Sequence, residues 1–190
     1  DQPNLQEFFT NKKRHDEYDW YVFNSHWNYE KFRYAFDIPT EKCVVIKNGI
    51  DNFPIRKIYK RGTPIKLIHH CTPWRGLNVL LRAMQEVENP NIILPNYDMF
   101  VYPSIFEETS CASALEALAS GVHVITNNFG ALYETCAEWP VYVNYSKNYE
   151  QMAKDTGAAI DFAASYLHED FMQEHLQEQQ KFYKRFYNWQ

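Results

Sequence analysis

The sequence predicts an α/β fold in which a Rossmann-like parallel sheet is flanked by helices. Two strand–loop–helix units indicate this fold. The first has an apolar strand over 64–70, a loop over 71–76 and a helix over 77–87, with apolar residues at 77, 80, 81 and 84. The second has the apolar run Met99–Tyr102, a polar loop over 107–111 and a helix over 112–119. Strands that are apolar throughout are typical of parallel sheets with both faces covered.

The second unit carries the features around which the chain is organised. Pro103 and Ser104 end its strand, strong helix formers fill its helix, and Gly121 stands where a C-terminal cap is expected. Backbone N–H groups of the loop lie at the start of the helix, where an anion can bind. Two carboxylates flank the loop. They are Glu108 and Glu116, and the second lies about one turn into the helix, from which it can point back toward the loop.

The remaining elements follow from local patterns. Residues 1–17 are polar and fit either an amphipathic helix or a loose segment. The predicted strands are 18–25, 43–46, 122–126 and 141–143, with a short apolar run at 91–94, and the predicted helices are 27–36, 131–136 and most of the chain after 148. Within the last helical region, residues 175–180 are polar enough for a solvated face. Basic residues without a clear period mark 52–63 as a linker.

Composition excludes several classes of function. The 190 residues suit one domain, or one domain and part of another. A net charge of −5 argues against a general nucleic-acid surface. No apolar run is long enough to span a membrane, no signal peptide is visible, and nothing supports a peripheral membrane contact. Four cysteines without CxxC spacing indicate reduced thiols and a cytoplasmic protein.

Metal and nucleophile motifs are weak. Cys71 with His69 or His70 would hold zinc only with a second ligand pair, and none has suitable spacing. Histidines at the end of a strand are more typical of a core or its edge. The sequence shows no Ser/His/Asp set and no carboxylate cluster with magnesium spacing, so we expect neither a hydrolase triad nor a metal or other cofactor.

Four motifs, in this order, resemble a known family. They are Ser25 with the turn Lys47-Asn-Gly-Ile-Asp51, the loop Thr72-Pro-Trp-Arg-Gly-Leu77, the segment Val101-Tyr-Pro-Ser104 with Glu108-x7-Glu116, and Gly121-Val-His-Val-Ile-Thr126 with Gly130 and Glu134. Each motif alone would be weak. Together they are similar to GT-B glycosyltransferases of family 4, also called glycosyl transferases group 1, and mainly to their C-terminal donor-binding domain.

The resemblance implies that a sugar moves from a nucleotide-diphosphate donor, with retention of anomeric configuration, to a glycan, lipid or protein acceptor that the sequence does not identify. It also implies roles for residues. Arg75 stabilises the diphosphate leaving group, Glu108 contacts the donor sugar and Glu116 the ribose, with Glu107 as an alternative first glutamate. The other donor-binding candidates are Thr72, Gly76, Thr109, Ser110 and Cys111.

Plainer interpretations stay open at these positions. Glu108 and Glu116 also fit a charge pair favoured by a helix N-terminus, and Arg75 fits a solvated loop charge. Gly76 fits a simple turn, and Glu134 fits a cap or brace of the next helix.

Two departures from the family leave the function open. Nearly all of the N-terminal domain that would precede residue 18 is absent, so 1–51 is expected to be the end of an acceptor-side domain, 64–147 the nucleotide-sugar domain and 148–190 the closing helices. Only residues 88–96 join the first helix to the next strand, too few for a βαβ unit of roughly 30 residues. We expect an abridged sheet, or further residues before Asp1 and between Leu94 and Tyr97. The alternatives are a non-catalytic module that kept the fold and a GT-B-type sugar-nucleotide epimerase.

Overall fold

The computed structural model describes residues 3–51, 62–88, 92–93 and 98–189. The helices are α1 Pro3–Thr10, α2 His26–Phe36, α3 Leu77–Glu86, α4 Ala112–Ala119, α5 Leu132–Cys136, α6 Tyr149–Tyr166 and α7 Asp170–Phe186. The strands are β1 Tyr21–Phe23, β2 Cys43–Val45, β3 Ile65–Ile68, β4 Ile92–Ile93, β5 Met99–Tyr102, β6 His123–Asn127 and β7 Val141–Val143. Short 3-10 turns cover Lys12–Glu17, Thr40–Lys42 and Pro73–Arg75.

The main sheet is parallel, with the strand order β4-β3-β5-β6-β7. Counted within this sheet, the order is the 2-1-3-4-5 of flavodoxin-like doubly wound folds. The direction in which the chain crosses the sheet reverses between β3 and β5. Ligands of such folds bind in the crevice outside the carboxyl ends of these two strands. The predicted fold class, a Rossmann-like parallel sheet flanked by helices, is confirmed.

The hydrophobic core is divided between the two faces of the main sheet. Alternate side chains of a strand point to opposite faces, and β5 shows this directly. Met99 and Val101 pack with residues of α3 and α6, whereas Phe100 and Tyr102 pack with residues of α4, α5 and α7. All four are buried. The continuous apolar run that predicted this strand therefore reflects burial on both faces.

Local patterns predicted some boundaries closely, and one residue of a predicted apolar helix pattern is exposed. The structure reproduces the predicted bounds of α4 and β7 and the predicted end of β5 at Tyr102. In α3, however, the buried residues are Val79, Leu80 and Ala83, and Leu81 is 53% exposed. The reason is close packing on α6, where a Cβ atom added to Gly157 would lie 3.0 Å from the carbonyl oxygen of Ala83. Small residues at this crossing turn the contact face of α3 toward α6.

The prediction of a solvated face over 175–180 is wrong for three of its residues, of which one is the apolar Leu176. Gln179 and Gln180 of α7 are buried. The Nε2 group of Gln179 donates to the carbonyl oxygens of Leu118 (2.9 Å) and Val122 (3.1 Å), and that of Gln180 donates to Ala119 (2.9 Å). The last carbonyls of a helix lack partners within it, so these amides satisfy the end of α4.

The N-terminal residues form a separate small unit. Strands β1 and β2 form a two-stranded parallel sheet, and α2 connects them in the sequence. Ser25 caps α2, since its Oγ accepts from the N–H of Asn28 at 3.0 Å. Aromatic residues of the unit pack together in a small core of their own; they are Phe9, Tyr21, Phe23, Tyr29, Phe32 and Phe36.

Some predictions lie outside the described residues. They are the linker over 52–61 and the junction at 94–97, and the predicted domain boundaries stay predictions for this reason. Among the helices that the structure describes, none has the length and apolar character needed to cross a membrane.

Candidate functional site

Two loops meet at the carboxyl ends of β3 and β5, and Gly76 allows them to touch. Gly76 lies at the end of the first loop with φ of 117°, a left-handed conformation. A Cβ atom at this position would lie 2.1 Å from the carbonyl oxygen of Pro103, at the start of the second loop. Its own carbonyl accepts from the N–H groups of Val79 and Leu80 at 3.0 Å and so starts α3. Gly76 is therefore a contact between loops as well as a turn residue.

An ion pair between a partly exposed arginine and a buried carboxylate joins the same two loops. Nη1 of Arg75 donates to Oε1 of Glu108 at 2.6 Å, and the hydroxyl of Tyr102 donates to the same oxygen. Tyr102 is 0% exposed and Glu108 is 2% exposed. A buried carboxylate needs charge and hydrogen-bond partners because water no longer solvates it. The two residues predicted to be catalytic thus lie together, and Arg75 is more than a solvated loop charge.

The guanidinium of Arg75 is held on two sides. Besides Glu108, it lies over the ring of Phe106 at 4.2 Å from the ring centroid, a favourable cation–π geometry. Its side chain is still 34% exposed. Burial is the largest single influence on the pKa of Arg75 and lowers it, but the charges and hydrogen bonds of Glu108 and Tyr102 together raise this pKa above its ordinary value. Burial and the hydrogen bond to Glu108 likewise raise the pKa of Tyr102. A permanently charged, partly exposed fork of donors is suited to an anion.

The second loop is also held from the N-terminal unit. Nδ2 of Asn24 donates to Oγ1 of Thr109 at 3.3 Å, and Nδ2 of Asn48 donates to Oγ of Ser110 at 3.0 Å. Sequence reasoning did not identify Asn24, and it named Asn48 only as part of the turn over 47–51. The available signal was their position, since Asn24 directly follows β1 and Asn48 lies shortly after β2.

The other two residues of this loop differ in their surroundings. Glu107 is half exposed and pairs with Lys31 of α2. Cys111 is buried and precedes α4. The hydrogen bond with Cys111 lowers the pKa of Cys71, at the start of the first loop, to about 7, and the same bond together with burial raises that of Cys111.

Two predicted donor-binding residues lie outside the buried cluster. Glu116 is exposed on α4, and within the described part of the chain no side chain pairs with its carboxylate. Thr72 is exposed as well, and its carbonyl accepts from the N–H of Arg75 at 3.0 Å. The structure therefore does not bring Glu116 to Glu108. Its predicted contact with a ribose stays a prediction.

The loop after β6 completes the surroundings of Glu108. A Cβ atom at Gly130 would lie 2.4 Å from the carbonyl oxygen of Glu108, which accepts from the N–H of Ala131 at 2.7 Å. Farther along, Glu134 caps a helix as one interpretation expected, but the helix is α2 of the N-terminal unit.

The histidine and cysteine side chains near β3 do not form a metal site. The ring Nδ1 of His69 donates to the carbonyl of Val101 at 2.9 Å. Over the residues that the structure describes, no group of three or more His, Cys, Asp or Glu side chains could hold a metal ion.

Comparison with known proteins places this fold. The chain is similar to a glycosyltransferase from Rickettsia africae ESF-5, with a TM-score of 0.72 and 16% sequence identity, over 99% of this chain and 64% of the other. It is similar to Anabaena HepE with a TM-score of 0.74 and 13% identity, also over 99% of this chain and 64% of the other. It is also similar to sucrose-phosphate synthase from Thermosynechococcus elongatus, with a TM-score of 0.67 and 15% identity, over 97% of this chain and 57% of the other. No protein-family model matches the chain, and no curated protein sequence matches it.

These likenesses show the fold. The chain has the architecture of GT-B glycosyltransferases and is consistent with their C-terminal domain, as the sequence motifs predicted. It spans about two thirds of the length of the first of these structures (64%).

Proposed function

We propose that this chain is the donor-binding part of a glycosyltransferase that uses a nucleotide-diphosphate sugar. The observation that carries the proposal is the Arg75–Glu108 pair, which joins the two loops at the reversal point of the sheet with an Nη1–Oε1 distance of 2.6 Å. This is where doubly wound folds bind nucleotides. The pair leaves part of a guanidinium exposed at that crevice.

The chemistry of transfer fits an arginine at this place. When the bond between the anomeric carbon and the diphosphate breaks, negative charge builds on the leaving diphosphate. Preorganised donors that face this charge lower the barrier. Arg75 has five N–H groups in a rigid fork, of which one is used by Glu108, so others can bind phosphate oxygens. We assign Arg75 to the leaving group and Glu108 to the donor sugar and to the orientation of Arg75.

The remaining roles follow from position. The backbone N–H groups at Thr109, Ser110 and Cys111 precede α4 and are assigned to the diphosphate, and Glu116 is assigned to the ribose. With a cation supplied by the protein, we propose transfer without a metal ion. Retention of anomeric configuration is part of the proposal. NMR tests it by identifying the sugar anomer that slow hydrolysis of the donor releases first.

The choice of donor for a first test comes from the similar structures. HepE was solved with UDP and glucose, and pneumococcal GtfA, similar to this chain with a TM-score of 0.67 and 14% identity, was solved with UDP and GlcNAc. We therefore propose a UDP-sugar or a related nucleotide sugar as the partner of this chain.

Calorimetric titration of the folded chain with UDP, GDP, UDP-glucose and UDP-GlcNAc tests the proposal. We expect saturable binding of at least one of them, and a loss of about tenfold or more in affinity for Arg75→Met, since a charged hydrogen bond contributes about 1.5–3 kcal/mol. Arg82→Met is the matched control, because Arg82 carries the same charge on the exposed side of α3 and lies 3.9 Å from Glu150.

Two results would refute the proposal. One is the absence of saturable binding by any of the four ligands in a chain shown by circular dichroism to be folded. The other is an equal affinity for Arg75→Met and Arg82→Met, which would return Arg75 to the role of an ordinary loop charge.

A further inference from the structure

Glu134 of α5 receives hydrogen bonds from three donor groups at the start of α2. Its Oε1 accepts from the N–H of His26 at 2.9 Å and lies 3.0 Å from the Nδ1 atom of the same residue. Its Oε2 accepts from the N–H of Trp27 at 2.8 Å. The first N–H groups of a helix have no partners within it and carry partial positive charge. A carboxylate from the sheet domain therefore caps a helix of the N-terminal unit.

The same carboxylate also holds the segment after β2. Nζ of Lys47 lies 3.2 Å from Oε1 of Glu134, whose side chain is 21% exposed. Burial is the largest single influence on the pKa of Glu134 and raises it, but the hydrogen bonds from His26, Trp27 and Lys47 together lower this pKa below its ordinary value. Glu134 is thus an anion that binds two separate segments of the N-terminal unit.

Both segments contact the second loop of the site, which α2 also reaches through the ion pair between Lys31 and Glu107. His26, held by Glu134, is two residues from Asn24, which donates to Thr109. Lys47, also held by Glu134, precedes Asn48, which donates to Ser110. Residues of all three regions line one small cavity; they are Asn24, Ser25, Lys47, Ser110, Glu134 and Thr135. A shift of α2 or of Lys47 away from Glu134 would carry the asparagines away from the loop.

We propose that Glu134 is a positioning residue that couples the N-terminal unit to the loop over 107–111 and so adjusts the affinity of this loop for the donor diphosphate. The inference rests on the proposed function for its ligand, but the coupling itself is independent of it. Glu134 does not touch the loop and acts through Asn24 and Asn48.

Other contacts attach the N-terminal unit, so that loss of the carboxylate loosens it without releasing it. The N–H of Ile50 donates to the carbonyl of Tyr187 at 2.6 Å. Gly49 lies so close to the ring of Trp189 that a Cβ atom would meet it at 2.4 Å. Glu134→Gln should therefore fold with the unit still in place.

The test compares Glu134→Gln with Glu138→Gln by nitrogen-15 NMR of the whole chain. Glu138 is an exposed carboxylate two residues after the end of α5. In Glu134→Gln we expect the backbone amide signals of His26, Trp27, Thr109 and Ser110 to shift. The affinity for UDP should fall at least about twofold and at most about 30-fold, because loss of a helix cap costs up to about 2 kcal/mol and only the part transmitted to the loop weakens binding. In Glu138→Gln both should stay as in the unaltered chain.

A second pair of substitutions reaches the loop without touching Glu134. Asn24→Ala with Asn48→Ala should lower the affinity for UDP by a similar factor, and adding Glu134→Gln should then have little further effect, because all three changes act on one pathway. This arm also decides the question if Glu134→Gln does not fold.

The outcomes separate the two proposals. Unshifted Thr109 and Ser110 signals in Glu134→Gln, or a Glu134→Gln effect on UDP affinity that adds fully to that of the asparagine substitutions, would overturn the coupling. Shifted signals in a chain that binds no nucleotide in any variant would support the coupling and refute the proposed function.

Discussion

Replacing Gly76 with alanine should force apart the two loops of the site. The added Cβ atom would lie 2.1 Å from the carbonyl oxygen of Pro103 and 2.9 Å from its carbonyl carbon. Carbon–oxygen contacts are normally no closer than about 3.3 Å, so the backbone of one loop must move by about 1 Å. A left-handed conformation in a residue with a Cβ atom costs about 1–2 kcal/mol, and crowding adds about 1–3 kcal/mol. We expect Gly76→Ala to lower the free energy of unfolding by roughly 2–5 kcal/mol.

Gly62→Ala separates the two contributions. Gly62 also has a positive φ, 85°, but a Cβ atom there would meet no described atom within 4 Å. It should therefore lose only the conformational part, about 1–2 kcal/mol. Urea unfolding measures both variants, and UDP titration should show weaker binding by Gly76→Ala alone. Equal losses of unfolding free energy in the two variants would refute the argument that close contact of the loops requires this glycine.

Three further predictions concern the same surroundings. Tyr102→Phe should lower the free energy of unfolding by about 1.5–3 kcal/mol, because buried Glu108 loses a hydrogen-bond donor. The control is Tyr133→Phe, on an exposed ring, which should change this free energy by less than about 0.5 kcal/mol. Equal changes in urea titrations of the two variants would contradict the prediction. The rate of alkylation of Cys71 by iodoacetamide should be half-maximal near pH 7. Burial raises the pKa of Cys43, so the rate for this thiol should reach its midpoint at a higher pH. Peptide mass spectrometry that shows one shared midpoint would count against this prediction. Because the pKa of Glu134 is lowered in the fold, its stabilisation is present above the ordinary carboxyl pKa and is lost as pH falls through the folded value. The unfolding free energy of the unaltered chain should then exceed that of Glu134→Gln by about 1–2 kcal/mol at neutral pH. This difference should disappear as the pH falls below about 4.5. A difference that stays constant from neutral pH to below about pH 4.5 would disprove the link between the charge of Glu134 and stability.

Local sequence predicted elements where each residue's preference agreed with its final surroundings. β5 is apolar throughout because it is buried on both faces, and α4 is built of strong helix formers and is followed by a glycine with φ of 71°. Leu81 belongs to the apolar pattern that predicted α3 but is exposed, because α3 packs on α6 through Val79 and Ala83, where Gly157, far along the chain, allows close approach. The buried glutamines of α7 were read as solvent-facing for a similar reason, since their partners are the carbonyls of another helix.

The candidate site shows the same division. Arg75, Glu108 and Gly76 were found from motifs, because a basic–glycine loop and paired glutamates are recognisable within short stretches of sequence. The motifs did not predict the direct contact between Arg75 and Glu108. They also did not predict that the hydroxyl of Tyr102 donates to Glu108, because this role depends on a partner that only the structure identifies. Glu134 and Trp27 are 107 positions apart in the chain, and nothing in either stretch indicates the other.

The sequence by itself determined the fold class, the order of strands and helices, and the residue types that stand at the ends of the strands. Hydrophobic periodicity and turn residues act over a few positions, so a single stretch of sequence contains the information. The tertiary structure alone decided which loops meet, which carboxylate is buried with Arg75, and how the N-terminal unit holds the second loop. Each of these depends on side chains brought together across the sheet, where partners and burial set the charge state and the orientation of every group.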